Sequence, residues 1–350
     1  MKTSPSVPPK YLSIRVDQQA GIPLLEWMVQ RFPSRDREYW SRAIEDGRVR
    51  VMEPRDVETA KRADKAEALK MSRSCTSMEP VLPGMVIITE VRRETEPEVH
   101  GQIRILSQED GYLVVNKPAS WPVHPGGRFY SNTLWYQLKK QYPTLTLMHR
   151  LDRETSGCMV VSLTQEATRF WNGLFRGGGL EKDYLVLVEG GRQALTAALG
   201  SHRGIIECTG RLYRDESSPI AKKRLFIPES GGSPEGEPCS TLIEPLECGR
   251  EISLLRARLV TGKTHQIRST LSSLGLPVVG DKLYGRDPHW YTRWIQRTLT
   301  PRDIQEMRTD YQALHSWRMG FRDQLGQSRE FIAPVPEHMQ ELMRNQGISW

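Results

Sequence analysis

Apolar positions change period several times along this 350-residue chain, and the changes divide it into elements. Leu24, Leu25, Trp27, Met28 and Phe32 recur at helical spacing, as do Trp40, Ala43 and Ile44, with Ser34 placed to cap the second helix. Gly47 ends that helix, and Arg48-Val49-Arg50-Val51 then alternates as a half-buried strand does. Residues 52–78 are densely charged, mixed in sign and poor in apolar period. They predict an insertion or mobile arm, helical in part around Val57–Met71. Leu82-Pro83-Gly84-Met85-Val86-Ile87 predicts a turn feeding a strand.

From about residue 96 strands and helices alternate. Strands are predicted over Gly111–Asn116, Cys158–Leu163, Lys182–Glu189 and Ile252–Leu259. Asn132 is placed to cap a helix carrying Leu134, Trp135 and Leu138, and a second helix is predicted over Gln165–Phe175. A third runs over Thr264–Leu274 between a Thr264 cap and Gly275, and a fourth, amphipathic, lies within Pro334–Gln346. Gly231-Gly232-Ser233-Pro234-Glu235-Gly236 is loop chemistry. There is no internal repeat. The pattern predicts an α+β or mixed domain over 96–350, preceded by a small α+β unit over 1–95.

Composition narrows the partners. A hydrophobic fraction of 38% supports a real core, and the net charge of +7 favours polyanions, nucleic acid or an acidic membrane surface alike. No apolar run approaches the about 18–20 residues of a spanning helix, and the polar, proline-rich Met1–Lys10 predicts no secretory signal. Five cysteines, odd in number and without C-x-x-C spacing, argue against a zinc site or a disulfide framework. They favour a reducing compartment, taken here as the cytoplasm.

Three segments could carry chemistry. His149-Arg150-Leu151-Asp152-Arg153-Glu154-Thr155-Ser156-Gly157 runs straight into an apolar strand, a common place to present a catalytic side chain. Alone, it is better explained as a surface turn with an Asp–Arg pair worth about a kcal/mol or less. Thr261-Gly262-Lys263-Thr264-His265-Gln266-Ile267-Arg268 places His265 and Arg268 three apart, where a guanidinium can clamp a carboxylate. An amphipathic helix with a basic face explains it equally. Tyr184, sharing a strand face with Val186, suits core packing, a base stack or proton management.

Together and in this order the segments resemble the RluA family of pseudouridine synthases. The signature stands at 149–157, Lys-x-Tyr at 182–184, and the Thr-Gly-Lys-Thr-His-Gln-Ile-Arg block at 261–268. Val278-Val279-Gly280-Asp281 with Leu283-Tyr284-Gly285, Asn116-Lys117-Pro118, Val123-His124-Pro125, Leu314-His315 and Phe331 with Ala333-Pro334 match further family blocks over about 100–345. The first 95 residues are similar to an S4-like RNA-binding module through Ser34-Arg35 and Ile44, Gly47, Val49 and Val51, with Met52-Glu53 where that module has Asn-Gly.

The resemblance implies a mixed, mainly antiparallel sheet with flanking helices, and a cofactor-free, metal-free isomerisation of uridine in ribosomal or transfer RNA by a monomer. It implies Asp152 as the essential carboxylate, attacking C1′ or abstracting the C2′ proton, Arg268 as its partner, and Tyr184 packed against the uracil and assisting proton transfer at C5. Arg150 would fill the stack vacated by the flipped uridine. His149, Lys117, His124, Lys263, His265, Lys222, Lys223 and Arg224, with Arg211 and Arg214, would contact RNA. Two rivals remain: a catalytically dead RNA-binding homologue, which would lose Asp152, Tyr184 or Arg268, and a zinc base deaminase, whose P-C-x-x-C motif Pro238-Cys239 does not complete.

Overall fold

The computed structural model describes residues 10–16, 21–32, 36–60, 69–91, 96–200, 204–229, 235–323 and 325–350. Residues 1–9, the Ser34 cap with Arg35, the middle of the charged segment at 61–68 and the loop at 231–234 lie outside them. The chain divides into two compact units, Met1–Thr95 and Glu96–Trp350.

The first unit runs β1 (Lys10–Arg15), α1 (Leu24–Arg31), α2 (Arg37–Glu45), β2 (Val49–Met52), α3 (Pro54–Ala60), β3 (Arg73–Ser74) and β4 (Val86–Val91). The strands form an antiparallel sheet in the order β1-β4-β2-β3. Trp27, Met28, Trp40 and Ile44 on the helices bury against Val49, Val51 and Ile87 of the sheet. Asp36 caps α2, its carboxylate accepting from the Tyr39 N–H at 2.8 Å.

The described parts of the charged stretch 52–78 pack into the unit rather than standing off as an arm, and α3 supplies part of the helix expected there. The charges of the stretch are paired in part, since Arg73 bridges Glu53 and Glu79. Arg73–Ser74 joins the sheet beside β2, and Val57 and Met71 pack on Met52 and Ile88. Apolar period is weak there because the contacts fall on single residues from short elements.

The second unit runs β5 (Arg104–Glu109), β6 (Tyr112–Lys117), α4 (Leu134–Lys139), β7 (Thr146–Leu147), β8 (Ser156–Ser162), α5 (Gln165–Gly177), β9 (Leu180–Glu189) and α6 (Arg192–Leu199). It continues through β10 (Ile206–Arg214), β11 (Arg224–Pro228), β12 (Glu237–Cys248), β13 (Ile252–Leu259), α7 (Gln266–Ser273), α8 (Trp290–Gln296) and α9 (Pro301–Met307). β14 (Leu314–Arg322), β15 (Ser328–Ile332) and α10 (Glu337–Gln346) complete it.

An eleven-stranded sheet carries these strands in the order β11-β10-β12-β13-β9-β14-β8-β6-β5, with β15 on β14 and β7 on β8. The pairings are antiparallel except β14 with β8, which is parallel. β9 is central and buried on both faces. Tyr184, Val186 and Val188 point into one core with Leu151, Ile267 and Leu271, and Leu185 and Leu187 into another.

Two caps differ from expectation. Thr133 caps α4, while Asn132 donates its backbone N–H to Glu96 and its amide to the Pro97 carbonyl. Thr264 does not cap α7, which starts after His265 in the left-handed region at φ 59°.

The single parallel pairing sets a steric limit. Gly157 opposes Ser316 at φ +111°, and a Cβ there would lie 2.2 Å from the Ser316 carbonyl oxygen. Gly157→Ala is expected to cost about 3 kcal/mol or more, a sum of backbone strain and forced separation of the strands. Urea unfolding of the second unit, followed apart from that of the first, measures it.

Candidate active site

The loop between β7 and β8 is held at almost every residue. Leu151 is buried in the core, and the Thr155 hydroxyl accepts from the buried Gln312 amide at 2.6 Å. Ser156 Oγ meets His315 Nδ1 at 2.8 Å. His149 Nε2 accepts the Val160 N–H at 3.1 Å. Thr155 N–H closes the turn on the Asp152 carbonyl at 3.1 Å. With its neighbours fixed, Asp152 is left to project into a cavity of about 300 Å³ that Tyr184, His265 and Arg268 also line, near the lower end of ligand-site volumes.

Lys117 explains one further anchor. Expected among the RNA contacts, its side chain is instead fully buried, and Nζ donates to the carbonyls of Pro118, Trp121 and Arg153 at 2.8–2.9 Å. Burial pushes its pKa down to about 7. The ammonium ties the start of the loop after β6 to the residue that follows Asp152, and offers nothing to a phosphate.

Arg268, from the first turn of α7, donates from Nη1 to Asp152 Oδ2 at 2.6 Å. Its other edge forks onto Asp281, Nε to Oδ2 at 2.7 Å and Nη2 to Oδ1 at 2.8 Å. Asp281 is completely buried, and its Oδ1 also accepts the N–H groups of Leu283 and Tyr284. Burial by itself raises the pKa of Asp152, but the charge and hydrogen bond of Arg268 outweigh it and the net shift is downward, so the carboxylate is ionised at neutral pH.

His265 faces the same carboxylate, with Nε2 3.7 Å from Asp152 Oδ1. Burial, then the charge of Arg268, pull its pKa down to about 4, which leaves the ring neutral. Hydrogen-bond accounting assigns its proton. Tyr284 Oη accepts the Arg224 N–H at 2.7 Å and lies 3.0 Å from His265 Nδ1. With that N–H already on Oη, the phenol proton is free to point at Nδ1, and that pairing puts the imidazole proton on Nε2, toward Asp152. Burial pushes the Tyr184 hydroxyl up to about 12, so it too is protonated.

Gln266, a motif residue without a sequence-assigned role, is structural. Its amide donates to the Ser240 carbonyl and Thr241 hydroxyl, and its oxygen accepts from Thr261 Oγ1 and Lys263 N–H, pinning the turn before α7 to β12. Sequence reasoning quoted Asp281, Tyr284 and His315 within motif blocks but gave them no task. The one signal for Asp281 was a lone carboxylate between an apolar pair with glycine and a leucine–tyrosine pair.

The remaining cations scatter. Arg150 is exposed at the cavity wall without a side-chain partner among the described residues, and His124 is near enough for the charge of Arg150 to add to burial in lowering its pKa. Lys263 lines the cavity and pairs with Glu237 at 3.6 Å. Lys222 is exposed, Lys223 pairs with Asp215 at 3.3 Å, and the backbone of Arg224 holds Tyr284 and the Ser269 hydroxyl. Among the described residues no group of three or more His, Cys, Asp or Glu side chains is placed to hold a metal ion, and no helix is long and apolar enough to cross a membrane.

A family profile described as RNA pseudouridylate synthase matches residues 111–273, which include Asp152, Tyr184 and Arg268. The chain is 32% identical over 276 residues to the ribosomal large subunit pseudouridine synthase D of Vibrio cholerae serotype O1, covering 75% of this chain and 77% of that protein. It is 34% identical over 196 residues to the human pseudouridylate synthase RPUSD2, covering 55% of this chain but 33% of that protein, so it spans about a third of that relative's length. Among solved structures, human RNA Pseudouridylate Synthase Domain Containing 1 shares the fold at a TM-score of 0.52 and 22% identity, over 73% of this chain and 98% of that one.

The histidine assignment is checkable by itself. Long-range proton–nitrogen NMR should find His265 as the Nε2–H tautomer, neutral from pH 8 down to about 4. Below that it protonates, because its folded pKa is depressed rather than raised. Tyr284→Phe removes the donor to Nδ1 and should populate the other tautomer. A His265 titrating at its ordinary value near 6.5 would contradict the geometry.

Proposed function

The chain belongs to the RNA pseudouridylate synthase family, and on that premise we propose that it isomerises selected uridines to pseudouridine within folded RNA, with Asp152 as the catalytic carboxylate. The observation that carries the reading is the ionised Asp152 at a cavity wall, one oxygen held by Arg268 and the other turned to the neutral His265. A carboxylate so held can attack C1′ of the ribose or take the C2′ proton. Either route needs it charged and aimed, and Arg268 supplies both.

The uridine enters the cavity unstacked from its neighbours, at a cost of a few kcal/mol. Exposed Arg150 at the cavity wall is suited to fill the gap with its planar guanidinium. Tyr184 packs against the uracil as a protonated phenol. Large-subunit ribosomal RNA is the substrate class that the names of relatives such as the Vibrio cholerae enzyme support. The first unit, with α1 and α2 packed on its four-stranded sheet, is an S4-like RNA-binding module. One chain supplies all the residues named at the site, so a monomer suffices, and five unpaired cysteines suit the cytoplasm.

Tritium release from C5-labelled ribosomal RNA of cells lacking the protein tests the reading. Asp152→Asn should abolish release while RNA affinity changes little, and Asp152→Glu should fail too because the extra methylene displaces the carboxylate. Turnover by Asp152→Asn within about tenfold of wild type would exclude a role in the chemistry. The wild-type rate should also show no acid limb from Asp152 until below pH 3.8, since its pKa is depressed and the carboxylate persists above it.

A further inference from the structure

The loop bearing Asp152 serves two cavities. His149 through Asp152 and Thr155 line the first, whereas Arg153 and Glu154 turn into a second of about 630 Å³, walled by α8, α9 and the segment before β14. Arg153 lies over two rings there, 4.2 Å from the Trp294 centroid and 5.4 Å from that of Phe129. Its guanidinium makes no side-chain hydrogen bond among the described residues, and its one ionic neighbour is Glu154 at 3.5 Å. A guanidinium this close to two ring faces keeps N–H donors available to an acceptor.

The rest of the cavity has the complementary chemistry. Lys282 and Glu154 neutralise each other at 2.9 Å, and Arg153 and Arg297 line the cavity with Glu98 and Asp310. Ile295 and Ile304 are 59% and 47% exposed at its wall, beside Leu299 and Tyr311, an apolar surface that would otherwise face water. Arginine edges next to an apolar, aromatic wall fit one kind of ligand, a phosphate joined to a flat base.

We propose that this second cavity is a nucleotide subsite, taking an unpaired nucleotide of the substrate RNA that flanks the target uridine. Its phosphate meets Arg153 and Arg297, and its base lies on the wall of Ile295, Leu299 and Ile304. The inference rests on the RNA reading above. It adds that the enzyme holds a second nucleotide out of the helix on the far side of the catalytic loop, so that the sequence or looseness next to the uridine contributes to selection.

The test uses the full chain and large-subunit ribosomal RNA transcribed with partial 4-thiouridine substitution. After irradiation and nuclease digestion, mass spectrometry should find adducts on peptides containing Phe129, Trp294 or Tyr311, besides those of the first cavity. In filter binding Arg297→Glu and Ile295→Asp, both at exposed positions that leave the fold intact, should each weaken affinity roughly fivefold to thirtyfold, with a smaller change in the single-turnover rate at saturating enzyme. Tritium release by wild type without second-cavity adducts, or wild-type affinity in both variants, overturns the subsite alone. Weakening by Arg297→Glu but not Ile295→Asp makes it a phosphate groove and overturns the base pocket. Absence of both release and adducts overturns the RNA reading itself.

Discussion

One guanidinium shared by two carboxylates governs the second unit. Arg268 and Asp281 form a buried, bidentate pair, with two backbone N–H groups completing the Asp281 shell. Such a pair adds little net stability over an apolar replacement, but removing one partner strands a charge and costs several kcal/mol. Its value lies in direction. With Nε and Nη2 committed, Arg268 has Nη1 fixed in space, and Asp152 must come to it. The position of the carboxylate is therefore set by α7 and the turn at Asp281, not by its own loop alone.

The loop is prepared to meet that demand. Leu151 is anchored by apolar burial, Thr155 and Ser156 by Gln312 and His315, the Arg153 carbonyl by Lys117, and Gly157 by the close parallel approach of β14. These anchors come from β6, the segment before β14 and β14 itself. A site held from several elements is rigid to within small displacements, which is what positioning catalysis asks for. The same crowding explains why the motif tolerates an outward residue only where nothing packs, at Arg150.

Much of this was legible in the chain, and the failures have physical causes. β13 was read at the bounds it adopts and β9 to within two residues, because long runs of apolar residues bounded by glycine and charge leave few alternatives. The charged segment misled because Arg73 takes its partners from both of its sides, at Glu53 and Glu79, a pairing with no periodic trace. Lys117 read as an RNA contact because sequence shows a cation and hides the three carbonyls around it. His265 could not have been placed, since a left-handed residue before α7 has no signature unless it is glycine or asparagine. Asp281 was visible as a motif letter, but its task exists only once α7 is folded beside it.

The protonation states around the cavity bear on the chemistry as strongly as the distances do. Tyr184 is held protonated by burial, His265 is neutral with Nδ1 beside the Tyr284 hydroxyl and Nε2 toward Asp152, and Arg268 is charged throughout. Lys182, also on the cavity wall, has its pKa lowered by burial but must shed a proton before it can accept one. Among these groups Asp152 is the one with an open lone pair and a charge to neutralise. Detaching uracil at N1 and rejoining it at C5 requires a proton to leave C5 and one to be added at N1, with no net change. In this cavity Asp152 and solvent water are the groups able to receive the C5 proton. A neutral histidine donor beside the carboxylate fits that cycle, because it can steady the charge when Asp152 is ionised without competing for the proton when it is not.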